Sequence, residues 1–318
     1  MKNNKILLIG CGLIAQNMHL PAMLKFFQKG DIAILDKDFK TLESVRKTFD
    51  ITTSYNDISE VDFNNYSFVV LAVPYQLNYD ILNTLLDYDI KILCEKPVVS
   101  NYKDYQLLKP KIQSSKAKIF INQTRRFSPL AMDIKKILNG ENNSFKLGNI
   151  KSVSYSDGSK FDWDSSSGFY FKNQFGVLLD RGPHAIDLIG WMIGDDLKIL
   201  DFFKDSDKLL PESHTHIKLV SKKRKIPINI TLSWKYKLAN QVIFNFDHGK
   251  ILFGVNDLNS YEIIASNKRK TIMAKDSVDN YYDLGNIVFN NFLNFQHNCV
   301  SFFDVENSIK VISEAYER

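Results

Sequence analysis

Lys5-Ile6-Leu7-Leu8-Ile9-Gly10-Cys11-Gly12-Leu13-Ile14-Ala15 runs from a short apolar stretch through two glycines into a segment of helical spacing. Its form is G-x-G-x-x-A. The first glycine permits a tight turn, the second lets the backbone approach a pyrophosphate, and the alanine keeps a helix close to a sheet. The helix N-terminus then offers N–H groups with no acceptor in a preceding turn. A glycine turn of purely structural origin is the alternative. Asp36 weighs against it: an acid about twenty residues beyond the glycines, at the end of the second strand, can bond the adenosine ribose hydroxyls. A carboxylate there repels the extra phosphate of NADP, so NAD is the expected cofactor and NADP the alternative, with Lys37 beside it softening the repulsion.

Outward from that turn, apolar runs at Lys5–Ile9, Asp31–Leu35, Phe68–Val73, Lys91–Cys94 and Lys118–Ile121 read as buried strands. Helical spacing fills the gaps at Leu13–Phe27, Lys40–Phe49, Leu77–Leu86 and Tyr102–Ile112. Strands alternating with helices predict an α/β fold, a doubly wound parallel sheet covered on both faces. After about Asn122 the pattern changes. A helix is expected over Ser128–Leu138, then strands at Ile150–Tyr155, His216–Val220, Ile226–Trp234, Gln241–Phe246 and Lys250–Phe253. Helices near Leu179–Ile193, Asn286–Cys299 and Val305–Tyr316 complete the chain. This predicts a Rossmann domain over 1–122 and an α+β domain over 123–318 built on an open, largely antiparallel sheet.

The 318 residues suit two domains, and 44% hydrophobic against 24% charged content supplies ordinary cores. A net charge of +5, from 41 basic and 36 acidic residues spread along the chain, is too small to argue for nucleic acid. Lys222-Lys223-Arg224-Lys225 lies between two strand-like runs and reads as a solvated hairpin turn. Cys11, Cys94 and Cys299 are far apart, odd in number and without metal-ligand spacing, as expected of reduced thiols in a cytoplasmic protein. No stretch suits a signal peptide or a membrane span, so no membrane partner is expected.

Two further segments carry chemistry. Glu95-Lys96-Pro97 follows the strand Lys91–Cys94, where the crevice beyond parallel strand ends takes ligands. Lys96 could bond a substrate hydroxyl as it becomes a carbonyl; on spacing alone it is a surface turn residue. In Gly176-Val177-Leu178-Leu179-Asp180-Arg181-Gly182-Pro183-His184-Ala185-Ile186-Asp187-Leu188, the spacing of four and then three puts Asp180, His184 and Asp187 on one helical face. Pro183 expects Asp180 in or just before the first turn. Acid, imidazole and acid in a stripe suit proton handling, although a histidine simply satisfied by a neighbouring acid reads equally well. Val73-Pro74 ends its strand either where a nicotinamide lies or as a plain terminator.

The ordered set, G-x-G-x-x-A, Asp36, Pro74, Glu95-Lys96-Pro97 and D-x-G-x-H-x-x-D at Asp180–Asp187, resembles the Gfo/Idh/MocA family of oxidoreductases. The resemblance implies catalytic Lys96, His184 and Asp180, and dinucleotide contacts at Gly10, Gly12, Leu13, Ile14, Asp36, Ala72, Pro74, Glu95 and Lys96. It implies substrate contacts at Lys96, Asp180, His184 and, from Arg125-Arg126-Phe127, Arg126; a capped, solvated helix entry is the other reading of the arginines. A sugar or polyol substrate and a homodimer or homotetramer through the second-domain sheet are implied with it. Two positions depart from the family: Asn78 stands where a histidine is usual, and Gln174-Phe175-Gly176 replaces a glycine run. The expected function is NAD(P)-dependent oxidation of a secondary alcohol on a sugar, nucleotide sugar or cyclitol. A non-catalytic regulator that senses a dinucleotide or sugar is the alternative, and reduction of an imine or linear tetrapyrrole is a third. Phe161, Trp163, Phe169, Tyr170 and Phe171 are expected either to cover the site or to pack within the second domain.

Overall fold

The computed structural model describes residues 4–141, 145–160, 176–205, 211–266, 268–294 and 299–318. The aromatic cluster at Phe161–Phe171 and the Gln174-Phe175 departure lie outside them. The chain forms two compact units, Met1–Thr124 with Tyr282–Glu306, and Arg125–Tyr281 with Asn307–Arg318.

The first unit is a six-stranded sheet in the order β3-β2-β1-β4-β5-β6, every pair parallel. The strands are β1 (Ile6–Ile9), β2 (Ile32–Leu35), β3 (Thr53–Tyr55), β4 (Phe68–Leu71), β5 (Lys91–Cys94) and β6 (Lys118–Ile121). Strands β1, β2 and β4 are buried at every position, which is why they read as continuous apolar runs rather than alternations. The helices are α1 (Leu20–Phe26), α2 (Phe39–Phe49), α3 (Asn78–Leu85) and α4 (Tyr102–Ser114). The segment before α1 is a π-helical turn, Ala15–His19. Asp38 caps α2 through the Thr41 amide at 2.7 Å, and α2 ends on Asp50 at a φ of 56°.

Among the described residues the second unit holds eight strands in the order β14-β13-β12-β11-β7-β10-β9-β8. They are β7 (Ile150–Gly158), β8 (Leu197–Lys204), β9 (His214–Ser221), β10 (Pro227–Ser233), β11 (Gln241–Phe246), β12 (Gly249–Gly254), β13 (Ser260–Ala265) and β14 (Lys268–Met273). Every pairing is antiparallel except β7 with β10. Helices α5 (Pro129–Leu138) and α6 (Val177–Ile193) pack on one another, and α6 also packs on β9 and β10. Alternate residues Ile228, Ile230 and Leu232 of β10 are buried while Pro227 and Asn229 are exposed, the period-two pattern of a sheet covered on one face. The basic run Lys222–Lys225 is the turn between β9 and β10, where Asp195 Oδ2 accepts the amides of Lys223 and Arg224 at 2.9 Å each.

Helix α7 (Asp283–Asn294) belongs to the first unit, whereas the sequence pattern runs the second domain unbroken from 123 to 318. Phe292 meets Phe68 and Phe120 at ring separations of 5.8 and 5.7 Å, and Phe289 meets Phe26 at 5.7 Å. The amide of Ile121 donates to Val300 O at 2.8 Å, so the strand beside α7 is tied at the same edge. Helix α8 (Glu306–Tyr316) closes the chain. Among the described residues no helix is long and apolar enough to cross a membrane.

Candidate active site

Gly10, Asp36, Ala72, Glu95 and Asn122 each follow directly on the last residue of a parallel strand, so the sheet brings them to one carboxyl edge. That edge is where open α/β sheets bind ligands. Gly10 has a φ of +95° and donates its amide to Leu35 O at 2.8 Å. A β-carbon on it would overlap the carbonyl oxygen of Ala72 and sit 2.7 Å from its carbonyl carbon. Ala72 therefore frames the turn by its backbone. Gly12, by contrast, faces open space, and Leu13 beside it is 77% exposed. The amide of Gln16 bonds Gly12 O at 3.0 Å, which fixes the start of the helix. Gly10→Ala is expected to lower folding stability by at least about 1–3 kcal/mol, read as a drop in the urea midpoint. An unchanged midpoint would show that the turn tolerates a side chain.

Asp36 is built into this turn. Its Oδ2 accepts the Cys11 amide at 2.8 Å and its Oδ1 accepts the Asp38 amide at 2.9 Å. Two backbone donors orient the carboxylate while each oxygen keeps a lone pair for a further donor. Burial, and secondarily the Asp36 charge, pushes the Cys11 thiol up to about 12, so Cys11 acts as a small apolar filler.

Glu95 lies on the same edge with its side chain only 13% exposed. Its Oε1 receives His19 Nε2 at 2.8 Å and Asn122 Nδ2 at 2.6 Å, and its Oε2 receives the backbone N–H of Lys96 at 3.2 Å. Asn122 is in turn held by the Thr124 hydroxyl at 2.9 Å. Burial raises the Glu95 carboxyl, but the bond from His19, the His19 charge, Asn122 and the Lys96 charge together hold it below the usual range. Pro74 leads into a short 3-10 turn, Tyr75–Leu77, and Asn78 opens α3. Buried to 1% exposure, Asn78 donates from Nδ2 to Pro97 O at 3.2 Å, so this departure ties α3 to the Glu95-Lys96-Pro97 segment.

In the second unit, Asp180, His184 and Asp187 all lie on α6. The Asp180 amide bonds Gly176 O at 3.1 Å, which puts Asp180 in the first turn, but Pro183, expected near the helix start, lies inside the helix, where it offers no N–H to the Leu179 carbonyl. The Asp180 carboxylate receives Trp234 Nε1 at 3.3 Å and lies 3.9 Å from Arg181 Nε. Arg181 is anchored on Asp157 at 2.6 Å and on the Ser159 hydroxyl at 2.9 Å. His184 is half-buried one turn beyond Asp180.

Arg126 is turned to Asp187: Nε meets Oδ2 at 2.7 Å and Nη2 meets Oδ1 at 2.5 Å, with the carboxylate 2% exposed. The guanidinium also lies 5.8 Å from the Trp191 ring, which Lys135 faces at 4.1 Å. Arg125 donates to Tyr155 Oη at 2.8 Å and borders a cavity of about 140 Å³ with Leu188, Phe253, Val255 and Tyr281.

His19, Asn122, Arg181 and Trp234 were not among the residues that spacing singled out. Arg181 stands inside the quoted motif and could have been read there. The other three carry no local signal, because their partners are brought to them by the fold.

Residues 4–123 match the GFO_IDH_MocA family model, described as oxidoreductase family, NAD-binding Rossmann fold. A D-apiose dehydrogenase of Paraburkholderia graminis is 22% identical over 197 residues, 61% of this chain and 51% of that protein. The chain spans about half the length of the curated relatives it matches. Two solved structures share the fold across nearly the whole chain. KijD10, a 3-ketoreductase from Actinomadura kijaniata in complex with NADP and TDP-benzene, superposes with a TM-score of 0.84 at 15% identity, over 99% of this chain and 97% of that one. A levoglucosan dehydrogenase in complex with NADH and levoglucosan gives 0.83 at 16% identity, over 99% and 96%.

Proposed function

We infer, from the match of residues 4–123 to the Gfo/Idh/MocA oxidoreductase family with its NAD-binding Rossmann fold, hydride transfer between a nicotinamide dinucleotide and a secondary alcohol or ketone on a sugar, nucleotide sugar or cyclitol. One observation carries this reading: an open phosphate turn, an oriented Asp36 and Lys96 all stand on the carboxyl edge of one parallel sheet. The D-apiose and levoglucosan named for two of the similar proteins, and the 3-ketoreductase activity named for a third, support the substrate class.

The residues fit the dinucleotide. The amides of Gly12, Leu13 and Ile14 head the first helix and would hold the pyrophosphate, with no side chain at Gly12 to obstruct it. Asp36 would bond the adenosine ribose and exclude a 2′-phosphate, which favours NAD. Bound nicotinamide would supply the hydride acceptor in oxidation and the donor in reduction. The protein's own part is proton handling. Lys96 would donate to the substrate oxygen and stabilise charge as it builds there. His184 would take the hydroxyl proton and return it in the reverse direction, with Asp180 orienting it.

The test is reduced-nicotinamide formation with NAD or NADP against a panel of free sugars, nucleotide sugars and cyclitols. Turnover with one class is expected, with kcat/KM about tenfold or more in favour of NAD, the discrimination of one misplaced charge. Dinucleotide binding without turnover anywhere in the panel, or among the matching ketones with reduced cofactor, would sink the dehydrogenase reading.

A further inference from the structure

We propose that His19 is a positioning residue: acting through Glu95, it fixes Lys96 at the carboxyl end of β5. The inference rests on the role of Lys96 given above and adds a residue for which sequence spacing supplies no hint.

The Glu95 carboxylate is shielded from water, and a carboxylate in that setting either gains donors or takes up a proton. Here two donors arrive from separate elements, His19 from the π-helical turn and Asn122 from the end of β6, both on Oε1. That leaves Oε2 to accept the Lys96 amide. An ionised carboxylate has only acceptor sites, so His19 Nε2 must carry the proton it shares with Oε1. The negative charge kept on Glu95 then acts on Lys96 twice, by the amide bond and by its field on the ammonium group.

The delivery of His19 is as telling as its contact. It ends a π-helical turn, a conformation that is rare and concentrated at functional sites. The turn is locked from its other side. Met18 accepts from Asn122 Nδ2 at 3.6 Å through its sulfur, and Gly285 of α7 leaves it room, since a β-carbon there would meet Met18 Cγ at 2.5 Å. A histidine that merely satisfied Glu95 would need no influence on Lys96; the Oε2 bond gives it one.

The test uses the full chain with its lysines reductively methylated with ¹³C, the Lys96 resonance being assigned by its loss in Lys96→Arg. In the cofactor-free protein, His19→Leu is expected to move the Lys96 resonance toward the exposed-lysine envelope, and His19→Gln, which keeps an N–H donor, to restore it. In kinetics, His19→Leu should lower kcat roughly ten- to a hundredfold, the loss of one bond to a charged group, with KM for the dinucleotide changed less than about threefold. Should His19→Leu not fold, the isosteric Glu95→Gln carries the same test. A Lys96 resonance unmoved in these variants overturns the proposal whatever the rates do. A resonance that moves as expected, in a protein that turns over no substrate, upholds the positioning and overturns the dehydrogenase reading.

Discussion

Replacing Lys96 with alanine is expected to lower turnover about a hundred- to ten-thousandfold while dinucleotide affinity changes less than about threefold. The separation follows from where the groups stand. The glycine turn and Asp36 follow β1 and β2, whereas Lys96 follows β5, held by Glu95. In the role proposed for Lys96, removing its ammonium group would take away charge stabilisation at the substrate oxygen and leave the amides of Gly12 to Ile14 and the Asp36 carboxylate as they are. His184→Ala should cost turnover on the same scale by removing the proposed proton acceptor. Steady-state rates and a fluorescence titration with reduced nicotinamide read the two effects apart. Wild-type-like turnover in both variants would remove the assignment, and loss of dinucleotide binding in Lys96→Ala would move Lys96 from the substrate to the cofactor.

The first domain was legible because its strands are buried on both faces and its glycine turn is forced. Only glycine fits where Gly10 meets the Ala72 carbonyl at positive φ, and a conformation so demanding leaves a mark in sequence. Helix α6 was legible for a related reason, its apolar side being continuous enough to fix the phase on which Asp180, His184 and Asp187 fall. Strand β3 escaped notice because its three residues are half-buried and polar. Strand β14, at the edge of its sheet, begins Lys268-Arg269-Lys270, and charge on an edge strand protects against unwanted pairing while hiding the strand. The place of α7 had no local signature at all. Its Phe292 finds Phe68 across more than two hundred residues of chain, and nothing near either ring announces the other. The polar partners His19, Asn122 and Trp234 were missed for the same reason: hydrogen-bonded networks assembled from distant segments have no spacing to read.

Arg126→Ala is expected to destabilise the protein by about 3–5 kcal/mol, because it leaves the Asp187 carboxylate buried with its guanidinium partner removed. The sequence alone offers Arg126 to the substrate, yet two of its nitrogens are bonded to Asp187 and its guanidinium lies over the Trp191 ring. Asp187 lies two turns beyond Asp180 on α6, so the pair pins the short 3-10 turn Thr124–Phe127 to the helix that carries the proposed proton acceptor. A bidentate pair fixes direction as well as distance, and lysine at 126 would not replace it. The urea midpoint of the transition reported by tryptophan fluorescence measures the loss, since Trp191 sits beside the pair. Replacing both partners by leucine should recover much of the stability, for no charge is then left buried. If the midpoint of Arg126→Ala instead stays at the wild-type value while KM for the sugar rises, the ion pair is incidental and Arg126 belongs to substrate recognition after all.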